Sequence, residues 1–147
     1  DDQRDGAVRR DVYAVRLQQP GPHGRSPHVL HVVYGQPEVL GLQSLWQLGY
    51  GDTNNRGDNP GEMGDSLATV DVGTGRTVVR GAGQWHSTCV ILDNTDLKCW
   101  GYNTYGNLGY GHTSNLGDGA GEMGDSLLAV DLGTNRYALL VFATGKS

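Results

Sequence analysis

The chain has 147 residues and a net charge of −5; it is 37% hydrophobic and 7% aromatic, with 24 glycines but only 5 prolines. That length holds one ordinary domain, the glycines follow no strict Gly-x-y period and so are not collagenous, and no apolar stretch is long enough to cross a bilayer. Residues 1–46 carry five basic and five acidic side chains and residues 47–147 carry six and eleven, so the −5 lies wholly in the second part and argues against a broad phosphate-binding face, and so against a nucleic-acid partner.

Taken in chain order, residues 1–46 predict an irregular N-terminal segment. The opening Asp1-Asp2-Gln3-Arg4 is no signal peptide. The segment has five arginines, no lysine, and the run Gly21-Pro22-His23-Gly24-Arg25-Ser26-Pro27-His28. Residues 51–69, rich in Asp, Asn and Gly with Pro60, predict a long surface loop. Thr77 to Val79 predicts a short strand. Thr88-Cys89-Val90-Ile91-Leu92 is β-branched and apolar, Asp93-Asn94-Thr95-Asp96 is turn chemistry, and Leu97-Lys98-Cys99-Trp100 alternates, with Leu97 and Cys99 inward and Lys98 outward. Together they predict a β-hairpin.

The next feature is a repeat at an offset of sixty without a gap. Leu48-Gly49-Tyr50-Gly51 returns as Leu108-Gly109-Tyr110-Gly111, and Gly61-Glu62-Met63-Gly64-Asp65-Ser66-Leu67 returns unchanged as residues 121–127. Val70-Asp71, Gly73-Thr74 and Arg76 return as Val130-Asp131, Gly133-Thr134 and Arg136. Repeat 1 spans 47–106, and repeat 2 spans 107–147 in truncated form. The second copy stops at Ser147, where the first continues through Trp85-His86-Ser87-Thr88-Cys89.

Trp100-Gly101-Tyr102-Asn103 followed by Tyr105-Gly106-Asn107-Leu108-Gly109 resembles the W-G-x-N-x-x-G-Q-L-G signature of the regulator-of-chromosome-condensation β-propeller repeat family. His86 to Leu92 with Asp93-Asn94 is similar to the strand that precedes it. The resemblance covers residues 47–147. It implies an all-β fold, a partial β-propeller of two to three blades of short antiparallel strands with long Gly-rich loops. The Gly-Glu-Met-Gly-Asp loop makes this a longer variant of the repeat. The family's founding member is a nucleotide-exchange factor for a nuclear GTPase and binds chromatin. That activity needs the loops of a complete propeller and is not carried over.

Residues 27–46 have a second reading, as a frame-shifted repeat copy. Read from the second base of each codon, Tyr34 to Gln43 is compatible with Met-Asp-Asn-Leu-Lys-Cys-Trp-Gly-Tyr-Asn, Pro27-His28-Val29 with His-Thr-Cys, and Leu45-Trp46 with Tyr-Gly. The shifted cysteines fall in the slots of Val29 and Val39, ten apart like Cys89 and Cys99, and each sixty before its counterpart. The alternative is that codon degeneracy permits the match by chance. Sequencing the transcript decides between them. Under the frame-shifted reading, a role argued from His28, His31, Glu38 or Trp46 as written is empty.

Cys89 and Cys99 lie on the two arms of the predicted hairpin, within disulfide reach of each other. They are either a disulfide, which implies an oxidising compartment, or two small buried hydrophobes in a reducing one. Two cysteines and His86 are too few for a zinc site, and no metal or cofactor is expected. Ser87 beside His86 points to the opposite strand face, so the pair is no nucleophile and base. Asp52 to Asp58 is similar to the start of a calcium loop, but counted from Asp52 the fifth place holds Arg56 and the twelfth Met63, where such a loop needs oxygen ligands. Asp65, Asp71, Asp125 and Asp131 are expected to accept backbone N–H bonds. Arg56-Gly57-Asp58, an integrin-type tripeptide, becomes Leu116-Gly117-Asp118 in the second copy and reads as a turn. No Gly-Lys-Ser/Thr phosphate loop is present, and a small-molecule ligand is not expected. The aromatics Trp85, Trp100, Tyr50, Tyr102, Tyr105 and Tyr110 recur near the repeat motifs. They pack between repeats, or Tyr50, Trp85, Tyr105 and Tyr110 form a partner surface.

A repeat cannot bury its own apolar faces and needs neighbours. The expected function is therefore a non-catalytic protein–protein binding or scaffold module of propeller-repeat type. The alternative is a small accessory structural subunit of a large multi-protein assembly, such as a membrane-associated algal photosynthetic complex. That alternative stems from the abundance of similar glycine-rich repeats in protist and bacterial proteins. An enzyme has no supporting constellation in the sequence.

Overall fold

The computed structural model describes residues 13–15, 29–33, 36–40, 48–84 and 86–141. Among them the fold is all-β, with no α-helix. Six strands form two antiparallel three-stranded meanders. The first joins β1 (Tyr13–Val15), β2 (Val29–Val33) and β3 (Gln36–Leu40), and the second joins β4 (Val78–Gln84), β5 (Ser87–Leu92) and β6 (Leu97–Gly101). Single 3₁₀ turns at Gly64–Ser66 and Gly124–Ser126 occupy the same place in the two repeats.

The β5–β6 hairpin forms where its sequence places it. Val90, Ile91, Leu92 and Trp100 are buried, and the Asp93–Asp96 turn closes with Leu92 N–H donating to Asp96 O at 2.9 Å. Within the turn, Asn94 Oδ1 accepts from Asp96 N–H and Asn94 Nδ2 donates to the Asp96 carboxylate. β4 is longer than the expected Thr77–Val79 strand and runs to Gln84. Its Gly81 and Gly83 are poor strand formers, but both pair with the central strand β5, and that ladder decides the conformation. The register shifts between Val78 and Arg80, which leaves Val79 as a bulge that is 49% exposed.

Residues 1–46 hold a meander rather than irregular chain alone. β2 and β3 stand about where β5 and β6 stand one repeat later, but in a different register. Cys89 faces Cys99, so the position sixty before it, Val29, would face Val39; instead Leu30 faces Val39. The β2–β3 ladder is thus slipped by one residue relative to that of β5–β6. The rest of the suspected frame-shifted stretch, residues 27–28, 34–35 and 41–46, lies outside the described residues.

The core is shared between the hairpin and the repeat loops. Leu48, Val70, Val72, Val78, Val90, Leu92, Trp100 and Leu127 form one buried cluster. Leu48 and Leu67 of repeat 1 have buried counterparts in Leu108 and Leu127 of repeat 2. The irregular loops therefore supply about as much of the core as the strands do, which is how a chain lean in hydrophobics closes one.

Candidate functional site

The residues with the most specific chemistry meet where repeat 1, the β5–β6 hairpin and repeat 2 converge. Lys98, expected to face water, is buried at 7% exposure. Its Nζ donates to Val72 O of repeat 1 and to Gly124 O of repeat 2, both at 2.9 Å. Alternation along β6 fails because loops cover both of its faces, and the ammonium is tolerated because two carbonyls satisfy it. Burial pushes the Lys98 pKa below the ordinary lysine value, and the nearby Asp125, Asp96 and Asp71 oppose that shift.

Around Lys98 three further hydrogen bonds join the two repeats. Gly124 N–H donates to Asp71 O at 2.9 Å. The Asp125 carboxylate accepts from Thr74 N–H at 2.9 Å and from the Thr74 hydroxyl at 2.6 Å. Those two bonds, the hydroxyl first, hold the Asp125 pKa below the usual carboxylate value. The fit leaves no room: a Cβ on Gly124 would lie 2.4 Å from Asp71 Oδ2, and one on Gly73 3.1 Å from Asp125 Oδ1.

Trp100, fully buried, forms the apolar half of the junction. A Cβ on Gly49 of repeat 1 would stand 2.4 Å from the indole Nε1, and one on Gly117 of repeat 2 would stand 3.3 Å from Trp100 Cβ. Gly51 N–H donates to Gly117 O, and Gly101 exchanges both backbone bonds with Leu116. Asn103, 0% exposed, organises the adjoining loop. Its Nδ2 donates to His112 O and Ser114 O, and its Oδ1 accepts from Leu108 N–H.

Each repeat also carries a carboxylate held by main-chain N–H groups. Glu62 Oε2 accepts from Gly57, Asp58 and Asn59, and Glu122 Oε2 accepts from Gly117, Asp118 and Gly119. The Asn59 side chain and backbone hold Glu62 below its ordinary pKa. For Glu122 burial pushes up, but hydrogen bonds with Asp118 and the three N–H groups outweigh it, and the net direction is down. Burial, then the neighbouring Glu122, pushes Asp118 up. The Arg56-Gly57-Asp58 tripeptide is thus the rim of a carboxylate-filled turn, and Arg56 itself pairs with Asp52 at 2.6 Å.

Other sequence candidates fall as follows. Cys89 and Cys99 are direct cross-strand partners joined as a disulfide, with Cα atoms 4.1 Å apart. Asp71 and Asp131 each accept the N–H two residues on, from Gly73 and Gly133. Asp125 accepts from Thr74, whereas the Asp65 carboxylate has no such bond among the described residues. Ser87 is buried opposite Gly101, and His86 makes an edge contact with Tyr102.

The four aromatics of the expected partner surface do not share one environment. Tyr50 packs on the core, donates its hydroxyl to Ala68 O and lies under the Arg56 guanidinium. Tyr110 packs on the core too, accepts from Cys99 N–H and stacks on His112. Tyr105 is 85% exposed, and Trp85 lies outside the described residues. Core packing claims Tyr50 and Tyr110, which both lie against the buried cluster that holds Leu48 and Trp100.

Among the described residues no group of three or more His, Cys, Asp or Glu is placed to hold a metal ion, and no helix is long and apolar enough to cross a membrane. No protein-family model matches the chain, and no curated protein matches it as a relative.

Proposed function

We propose that the chain is a non-catalytic protein-binding module built from β-propeller-type repeats of the kind its Trp-Gly-x-Asn motif resembles. The observation that carries this reading is a difference between two otherwise equivalent surfaces. Ala68, Thr77, Val79 and Arg80 of repeat 1 become Leu128, Tyr137, Leu139 and Leu140 in repeat 2. Those four are 73%, 61%, 72% and 61% exposed. Beneath them, Val70, Val72 and Val78 are buried in repeat 1, while Val130, Leu132 and Ala138 are only half-buried. Three of the four positions are small or polar in the sister repeat (Ala68, Thr77 and Arg80) and the fourth is the exposed Val79; an apolar surface enlarged in this way is the mark of a contact site.

The test is capture of proteins by the immobilised chain, compared with an Leu139→Asp variant, followed by titration calorimetry with each protein retained. A stoichiometric partner that Leu139→Asp loses supports the binding module. Retention that ignores the substitution, or no partner at all, overturns it. The same face favours a second reading, an accessory structural subunit of a larger protein assembly. The two part on the isolated chain: an accessory subunit is insoluble alone, whereas a binding module is not.

A further inference from the structure

We propose that a second copy of this chain docks head-to-tail on repeat 2, by re-forming between chains the junction that joins the two repeats within one. The proposal rests on the binding reading above and names a partner for it. Within the chain, the back of repeat 1 (Asp71, Gly73 and Thr74) is joined to the front of repeat 2 (Gly124 and Asp125). Both halves recur unchanged in sequence. Repeat 1 presents its own front, Gly64-Asp65, and repeat 2 its own back, Asp131, Gly133 and Thr134.

These second halves are open. Gly124 is buried against Asp71, but a Cβ on Gly64 would meet nothing within 4 Å. The three atoms nearest a Cβ on Gly73 belong to Asp125, Arg76 and Lys98, whereas the three nearest one on Gly133 all belong to Arg136 of its own repeat. Gly64 and Gly133 are exposed where Gly124 is buried and Gly73 half-buried, and among the described residues neither Asp65 nor Thr134 makes the bond that Asp125 makes to Thr74. The backbone is already in shape. Gly64 and Gly124 share φ values of 66° and 67°, and Asn135 takes the left-handed conformation of Gly75, at 58° against 68°. A front and a back of matching geometry are thus displayed on the same molecule.

Chain order supports the same arrangement. The β5–β6 hairpin precedes the front Gly124-Asp125, and the β2–β3 hairpin precedes the front Gly64-Asp65. Lys98 and Trp100 of the junction are not repeated in the written sequence: sixty before them stand Glu38 and Leu40, or Lys and Trp in the shifted frame. Such a front-to-back contact is heterologous, so it closes into a ring or grows as a linear array, and it does not stop at a two-fold dimer.

The test uses the full chain with its disulfide intact and two variants, Asp65→Lys at the front and Thr134→Lys at the back, in sedimentation velocity over a range of concentrations. The wild type is expected to show concentration-dependent species larger than the monomer. Each variant alone is expected to associate roughly tenfold to a hundredfold more weakly, from the loss of charge-assisted bonds. Thermal midpoints at dilute concentration should stay unchanged, because neither residue makes the junction bond within its own chain. An equal mixture is expected to form 1:1 heterodimers that grow no further, since each pair keeps one intact front and one intact back. A wild type that stays monomeric, association that ignores both substitutions, or variants that fail to complement each other would overturn the proposal. Failure here leaves the binding module separately testable, because capture of a different protein through Leu139 is read in its own experiment.

Discussion

Replacing Lys98 by methionine tests the junction most sharply. The substitution keeps the length and apolar stem of the side chain but removes the ammonium that bridges Val72 O and Gly124 O, each at 2.9 Å. Hydrogen bonds to a charged group contribute about 1.5–3 kcal/mol each, so the two amount to roughly 3–6 kcal/mol gross. Relief from holding a charge at 7% exposure offsets part of that loss. The two carbonyls left without their donor add a cost of their own. The net expectation is a destabilisation of about 2–4 kcal/mol, or roughly 6–13 °C in Tm for a domain of this size. Urea denaturation followed by tryptophan fluorescence reads it directly, since Trp100 is the next residue but one on β6. Lys98→Arg keeps the charge and should recover only part of the loss, because a planar guanidinium does not reproduce the ammonium's geometry. A Lys98→Met midpoint within about 0.5 kcal/mol of wild type, the range of an ordinary surface change, would refute the bridge.

Three further predictions probe the surroundings of Lys98. Gly49→Ala should cost about 1–3 kcal/mol more than Gly61→Ala in urea unfolding: both glycines are left-handed, at φ +79° and +84°, but only the Gly49 Cβ would meet Trp100. Equal costs would remove Trp100 from the argument. Removing the Cys89–Cys99 disulfide with a double alanine variant should cost about 2.5–3 kcal/mol by loop-closure entropy for a separation of 10 residues, and an unchanged midpoint would contradict that. The depressed pKa of Asp125 gives stability that is present above the unfolded value of 3.8 and is lost as pH falls through the lower folded value. The acid limb of a urea midpoint against pH curve should therefore flatten in Asp125→Asn, and an unaltered limb would dissociate Asp125 from Thr74.

The hairpin was legible in the sequence because its signals are local. Thr88 to Leu92, the Asp93–Asp96 turn and Leu97 to Trp100 each state their own conformation, and the sixty-residue repeat is visible as identity alone. Lys98 was misread because alternation assumes a strand with one wet face, and here two repeat loops close over β6 from both sides. The roles of Glu62 and Glu122 were illegible for a different reason. Their partners are backbone N–H groups, which every residue carries, so only the return of Glu within an unchanged heptapeptide marks them. Asn103 stood in the motif, but nothing in its sequence says that it satisfies the carbonyls of His112 and Ser114. The extent of β4 was hidden by Gly81 and Gly83, whose extended conformation comes from β5 rather than from themselves.

Two near-identical loops differ because one is covered and the other is open. Amide hydrogen exchange on the dilute chain, compared position by position between residues 71–78 and 131–138, tests it most directly. Slow exchange is expected at Arg76, whose N–H bonds Gly73 O beneath the hairpin, and faster exchange at Arg136, whose bond to Gly133 O is equivalent but exposed. Equal protection of the two segments, or stronger protection of 131–138, would contradict it.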